Sequence, residues 1–135
     1  MALIVISPQF VGQVWPTVGP MLQRAVDLSP EEGSLDQLEL LIRQGRVHLL
    51  VWQAEDGEVA GAATVEFQDT PKHRIAHVGY MAGSGVVRAH VFDEAKAWMR
   101  NCGATIAQCW TKGTLVQMYE KMGMTNTHQV MRIGL

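Results

Sequence analysis

The feature that most constrains this chain is a strand, glycine turn, helix and strand in succession over residues 75–110. Residues from about Arg74 to Met81 read as a strand, and Gly83-Ser84-Gly85 interrupts it. Val87, Val91, Ala95, Trp98 and Cys102 then recur at helical spacing until Gly103, and Ala104–Trp110 reads as a second strand. A crossover of this length joins two parallel neighbours in one sheet. Periods of two and 3.6 alternating in this way predict a mixed α/β fold.

The amino-terminal half adds an antiparallel part. Ala2–Ile6 is a short run rich in β-branched residues and predicts a strand; Pro8 breaks it and no basic head precedes it, so neither a signal peptide nor a membrane span is expected. A helical region follows from about Gln13 to Leu28, with an irregular start expected at Pro16 and a regular stretch only over Pro20–Val26. Ser34 and Gln37 have capping-box spacing ahead of the stripe Leu35, Leu38, Leu41, Ile42, and Gly45 is placed to end that helix. Val47–Trp52 and Val59–Phe67 flank an Asp56-Gly57 turn signal and read as a hairpin. After the crossover, Thr114 and Gln117 are spaced as a second capping box for a helix over Leu115–Met122, and Thr127–Ile133 is expected to be a last strand. A single domain over residues 1–135 follows, since two cores in 135 residues would each be too small.

Composition narrows the function classes. A net charge of −2, with eleven basic residues scattered along the chain, gives no footprint for nucleic acid or an anionic membrane. The two cysteines, Cys102 and Cys109, make no disulfide framework and have no partners at zinc spacing, so no metal is expected and both read as reduced core thiols. A cytoplasmic location is the default expectation. Glu31-Glu32 reads as a solvated turn.

Two segments could carry chemistry. Tyr80-Met-Ala-Gly-Ser-Gly-Val-Val-Arg88 is a strand end, a glycine turn and a helix start, an arrangement that presents free backbone N–H groups and a helix dipole to an anion. Tyr119-Glu120-Lys121-Met122-Gly123-Met124 follows the second parallel strand, with Leu115, Met118 and Met122 on the buried face of a short helix and Tyr119 beside them. A proton acceptor could come from Glu66 or His77, which lie on adjacent predicted strands. Strict alternation would put Arg74, Ala76, Val78 and Tyr80 on one face and His73, Ile75, His77 and Gly79 on the other.

The motif Tyr-Glu-Lys-x-Gly-hydrophobe, set after a strand–glycine turn–helix–strand unit, resembles the late motif of the GNAT (N-acetyltransferase) superfamily. The resemblance covers about residues 47–133, and the compact length and tryptophan-bearing helix look most like small acetyltransferase-like proteins of bacteriophages. It implies a central mixed sheet of six to seven strands flanked by about four helices. It also implies acetyl-CoA as co-substrate, whose pantetheine arm would lie between the splayed strands at Val78–Met81 and Ala104–Trp110. The pyrophosphate would sit on the turn formed by Tyr80, Met81, Gly83, Ser84, Gly85, Val86, Val87 and Arg88. Tyr119 would protonate the departing thiolate, with Glu66 as candidate base and an amine of a small molecule or protein as acceptor. The family's loop begins with Gln or Arg where this chain has Tyr80, and its usual asparagine upstream of the tyrosine is Lys112. A binding module without catalysis, engaging a host protein, is the alternative, and a homodimer is compatible with the family.

Overall fold

The computed structural model describes residues 1–83, 85–86 and 88–135. Strand β1 (Ala2–Ile6) leads through a 3-10 turn at Pro8–Phe10 into helix α1 (Val11–Asp27), and a second such turn, Pro30–Glu32, leads into α2 (Leu35–Arg43). The meander β2 (His48–Gln53), β3 (Val59–Asp69) and β4 (Arg74–Ala82) follows, then α3 (Ala89–Asn101), β5 (Ile106–Gln108) and the short α4 (Val116–Lys121). The sheet has the order β1-β2-β3-β4-β5, antiparallel throughout except for the parallel pair β4–β5. The crossover and the mixed α/β class are as the sequence predicts.

The sheet is covered on both faces. On one, Val11, Val18, Leu22 and Val26 of α1 and Leu38 and Ile42 of α2 pack with Leu49, Val51 and Ala62. On the other, Phe92, Ala95 and Met99 of α3 pack with Leu50, Trp52, Ala63, Val65, Ala76 and Val78. The Trp52 indole N–H donates to the Val91 carbonyl at 3.1 Å, so the largest buried side chain leaves no polar atom unpaired on this face.

Several local expectations hold. Ser34 and Gln37 form the reciprocal capping box, Gly45 (φ +75°) follows the end of α2, and Gly57 (φ +87°) closes the β2–β3 hairpin. Others do not. α1 runs unbroken through Pro16 and Pro20, although each removes a backbone donor and crowds the preceding turn, at about 3 kcal/mol apiece. Burial of the stripe Val11, Val18, Leu22 and Val26 opposes that cost. At α4 there is no side-chain cap: Gly113–Leu115 form a 3-10 turn and the cap position falls on Leu115, not Thr114. Among the described residues the sheet has five strands rather than six or seven. β5 is shorter than Ala104–Trp110, and residues 124–135 form no strand. No helix among the described residues is long and apolar enough to cross a membrane.

Candidate functional site

The site begins where two parallel strands part. β4 and β5 pair at Ile75–Ile106, Ala76–Ala107 and His77–Gln108, and there the ladder ends. β4 runs on to Ala82 beside β3. Among the described residues, the edge of Val78–Ala82 that faces away from β3 has no strand partner, and this stretch leads straight into the glycine corner.

A β-bulge re-aims the side chains along that edge. Val65 pairs with Val78 and Ala63 with Met81, so Thr64 alone opposes both Gly79 and Tyr80. The Thr64 hydroxyl accepts the Tyr80 N–H at 3.0 Å, and a Cβ on Gly79 would lie 3.1 Å from the same oxygen. The bulge overturns the simple alternation. Val78 packs in the α3-side core, while Tyr80 and Ala82 turn to the α1 side. Burial and the nearby carboxylates of Glu32 and Glu31 push the Tyr80 phenol above its usual range.

The corner is tight. Gly83 has φ +104°, and a Cβ there would meet the Ala60 carbonyl oxygen at 2.3 Å. Gly85 has φ +85°, and Val86 is buried in the α3-side core, where it anchors the loop. Arg88 is the residue immediately before α3 and is exposed; no acidic residue occupies the first turn of the helix. Ser84 and Val87, expected in the same turn, lie outside the described residues. A pocket of about 170 Å³ adjoins Gly83, between Met21 and Arg24 of α1, Leu28 just after it, and Met81–Gly83. A larger hollow of about 350 Å³ between the ends of α1 and α2, bordered by Asp27, Ser34 and Asp36, touches no residue of the open edge.

At the closed end of the opening, Glu66 pairs across β3–β4 with His77. Gln108 Nε2 donates to His77 Nδ1 at 3.2 Å, which leaves the neutral ring's proton on Nε2, and Trp110 meets the ring edge-on at 4.8 Å. Burial lowers the His77 pKa from its ordinary 6.5, with the Glu66 charge partly opposing. Because the folded state resists protonation of His77 while the unfolded chain does not, stability is lost as pH falls below 6.5 toward the depressed value. His48, lowered by burial and by Arg74, acts in the same direction. We expect the melting temperature to fall between pH 7 and pH 5, and His77→Gln to flatten that slope. An unchanged slope would show that the ring is not held neutral.

Tyr119 stands beside Cys109, just beyond β5. Its half-buried hydroxyl lies near the Cys109 thiol, and burial followed by the influence of Cys109 pushes the phenol up to about 12. Burial also raises the thiol. Cys109 and Met122 pack against the α3-side core, which fixes the position of this pair.

The structure thus brings Glu66 and His77 together at the closed end and runs Val78–Met81 along the open edge to Gly83. Three features had escaped sequence reasoning. Cys109 was read only as a core thiol, and nothing in α1 marked Arg24 as bordering the corner. Glu31 and Glu32 are not merely solvated. Lys112 pairs with Glu31 at 3.3 Å and Arg132 with Glu32, tying the α1–α2 connection to segments after β5. Charge spacing in sequence gives no hint of partners 81 and 100 residues away.

No protein-family model matches the sequence, and no curated protein matches it. Solved structures do match by shape. The ribosomal-protein-alanine N-acetyltransferase of Brucella melitensis biovar Abortus 2308 superposes with a TM-score of 0.73 at 10% identity, over 100% of both chains. An aminoglycoside acetyltransferase from an uncultured soil metagenomic sample, in complex with sisomicin, gives 0.68 at 11% identity, covering 99% of this chain and 94% of that one. An acetyltransferase of Trypanosoma brucei gives 0.63 at 15% identity over 99% of each. At such identities what is shared is architecture: this chain has the GNAT fold, the mixed α/β fold of these acetyltransferases.

Proposed function

We propose that the chain is an acetyl-CoA-dependent N-acetyltransferase in which an acceptor amine attacks the thioester directly. The observation that carries this reading is the release of β4 from β5 beyond His77–Gln108, directly ahead of the glycine corner. Backbone groups of Val78–Met81 on the free edge would pair with the amides of the pantetheine arm. The Tyr80 N–H, already given to Thr64, would not. The corner from Gly83 to Arg88, Ser84, Gly85, Val86 and Val87 included, would take the pyrophosphate on backbone N–H groups and the start of α3. The Val86 side chain is buried in the α3-side core, where it would anchor this part of the corner.

The chemistry follows from where protons can go. The acceptor must lose a proton, and Glu66, exposed across from His77 at the closed end, would accept it directly or through water. Nitrogen attacks the thioester carbonyl, the tetrahedral intermediate collapses, the C–S bond breaks and CoA leaves as thiolate. Tyr119, held protonated at neutral pH, donates to that sulfur and regains its proton from solvent. With a pKa of about 12 against about 8.5 for an ordinary thiol, the phenol acts chiefly by hydrogen-bonding the charge as it develops.

A second reading, a module of the same fold that binds a host protein without turnover, draws on one observation: Tyr80, standing where the family this chain resembles has Gln or Arg, packs on the α1 side. Calorimetry with acetyl-CoA separates the two. The enzyme reading expects a micromolar dissociation constant; absence of binding at millimolar acetyl-CoA would overturn it in favour of the module.

A further inference from the structure

We propose that the amine acceptor carries a carboxylate at the far end of an apolar chain, bound by Arg24 in the pocket beside Met81–Gly83. The inference rests on the acetyl-transfer reading above and gives that reaction its substrate class. Met21, Ala25, Leu28, Met81 and Ala82 make the pocket apolar, and Arg24 is the charged residue among those that line it. A guanidinium beside apolar walls selects an anion with an apolar body attached. Arg24 has no acidic partner among the described residues. Asp27, nearly one turn on, accepts from the Gln23 amide at 2.7 Å, and Glu31 and Glu32 are held by Lys112 and Arg132. The Arg24 charge is left for a ligand, and it repels an acceptor that is cationic throughout.

The cofactor's diphosphate has a cation of its own. The glycine corner leads into α3, and Arg88 Nε lies 3.8 Å from where a Gly85 Cβ would stand. Arg24 belongs to α1, which packs on the opposite face of the sheet. Size and spacing then narrow the acceptor. An apolar cavity of about 150 Å³ takes benzene, so one of this size takes a body of about six to eight non-hydrogen atoms. His77 pairs with Gln108, so the next residue, Cys109, stands level with Val78, and Tyr119 beside it would meet the departing sulfur there. From Val78 to Met81, where the pocket begins, is three strand residues, about 10 Å. An extended chain of six to eight atoms spans about the same length, at ~1.2 Å per bond. Amine and carboxylate therefore belong at opposite ends of the chain, as in an ω-amino acid, and not on one carbon.

The test is a series of acceptors with acetyl-CoA: 6-aminohexanoate, 8-aminooctanoate, hexylamine, 1,5-diaminopentane and norleucine. The better ω-amino acid should exceed hexylamine in kcat/KM by about 10- to 100-fold, the worth of a charge-assisted pair. Norleucine, whose carboxylate adjoins its amine, and the diamine should not exceed hexylamine. Arg24→Gln, at an exposed helix position, should bring the ratio of ω-amino acid to hexylamine to about one without weakening acetyl-CoA binding, and Arg24→Lys should keep part of the preference. Ala25→Leu, which narrows the pocket, should shift the preference to the shorter chain. Calorimetry with 8-aminooctanoate in the absence of acetyl-CoA reads the pocket by itself. Arg24-dependent binding of that compound by a protein that ignores acetyl-CoA would sink the transfer reading alone. Equal turnover of hexylamine and the ω-amino acids, a preference that survives Arg24→Gln, or weaker acetyl-CoA binding in that variant would overturn the present proposal alone. So would acetyl-CoA binding with none of the series acetylated.

Discussion

Tyr119→Phe is expected to lower kcat by about 10²–10³, within the range for loss of one positioned proton donor, while the dissociation constant for acetyl-CoA changes less than twofold. The argument rests on what the substitution removes. The ring stays in its half-buried place beside Cys109 and Met122, so the local packing survives. Only the hydroxyl goes, and it is a group that stays protonated across the neutral range and already lies near a sulfur. An interaction made with a developing thiolate and not with the ground-state thioester appears in kcat rather than in binding. A Tyr119→Phe variant that turns over at the wild-type rate would remove Tyr119 from the mechanism, whatever acetyl-CoA binding shows.

Gly83→Ala is expected to destabilise the protein by about 2–4 kcal/mol, lowering the melting temperature by on the order of 10 °C. Two effects combine. The backbone at φ +104° is strained for any residue with a Cβ, and that Cβ would sit 2.3 Å from the Ala60 carbonyl oxygen and 2.5 Å from the Gly61 Cα. Neither neighbour is a flexible side-chain tip. β3 cannot retreat without loosening its pairing with β4, because Ala62 pairs with Ala82 in the adjacent rung. Gly113→Ala is the control, since a Cβ there meets nothing within 4 Å, and its melting temperature should match the wild type. If Gly83→Ala melts with it, the corner does not have the geometry on which the proposed pyrophosphate site depends.

Legibility from sequence followed the range of the interactions. The crossover, the hairpin turn at Gly57 and the capping box at Ser34 were readable because each is decided within a few residues: by period, by a positive φ, or by a side chain reaching the next turn's N–H. The order of elements read from them is the one the fold has as far as α4, after which the strand expected over Thr127–Ile133 does not form. The candidate site was legible as segments only. Tyr119 and the glycine turn could be named, but not the thiol partner of the one or the distance between strands beside the other.

What the chain's own residues determined, then, is the succession of elements from β1 to α4 and the glycines that alone fit the corner. Tertiary structure decided the rest. Continuity of α1 across Pro16 and Pro20 depends on burial against the sheet. The turn of Tyr80 to the α1 side depends on a bulge that only a two-strand register defines. The opening beyond His77–Gln108 depends on where β5 stops, and the pairing of Glu31 and Glu32 on residues far along the chain. The physical reason is common to all four: each is settled by groups distant in sequence that meet only once the sheet has formed, and no local propensity encodes the meeting.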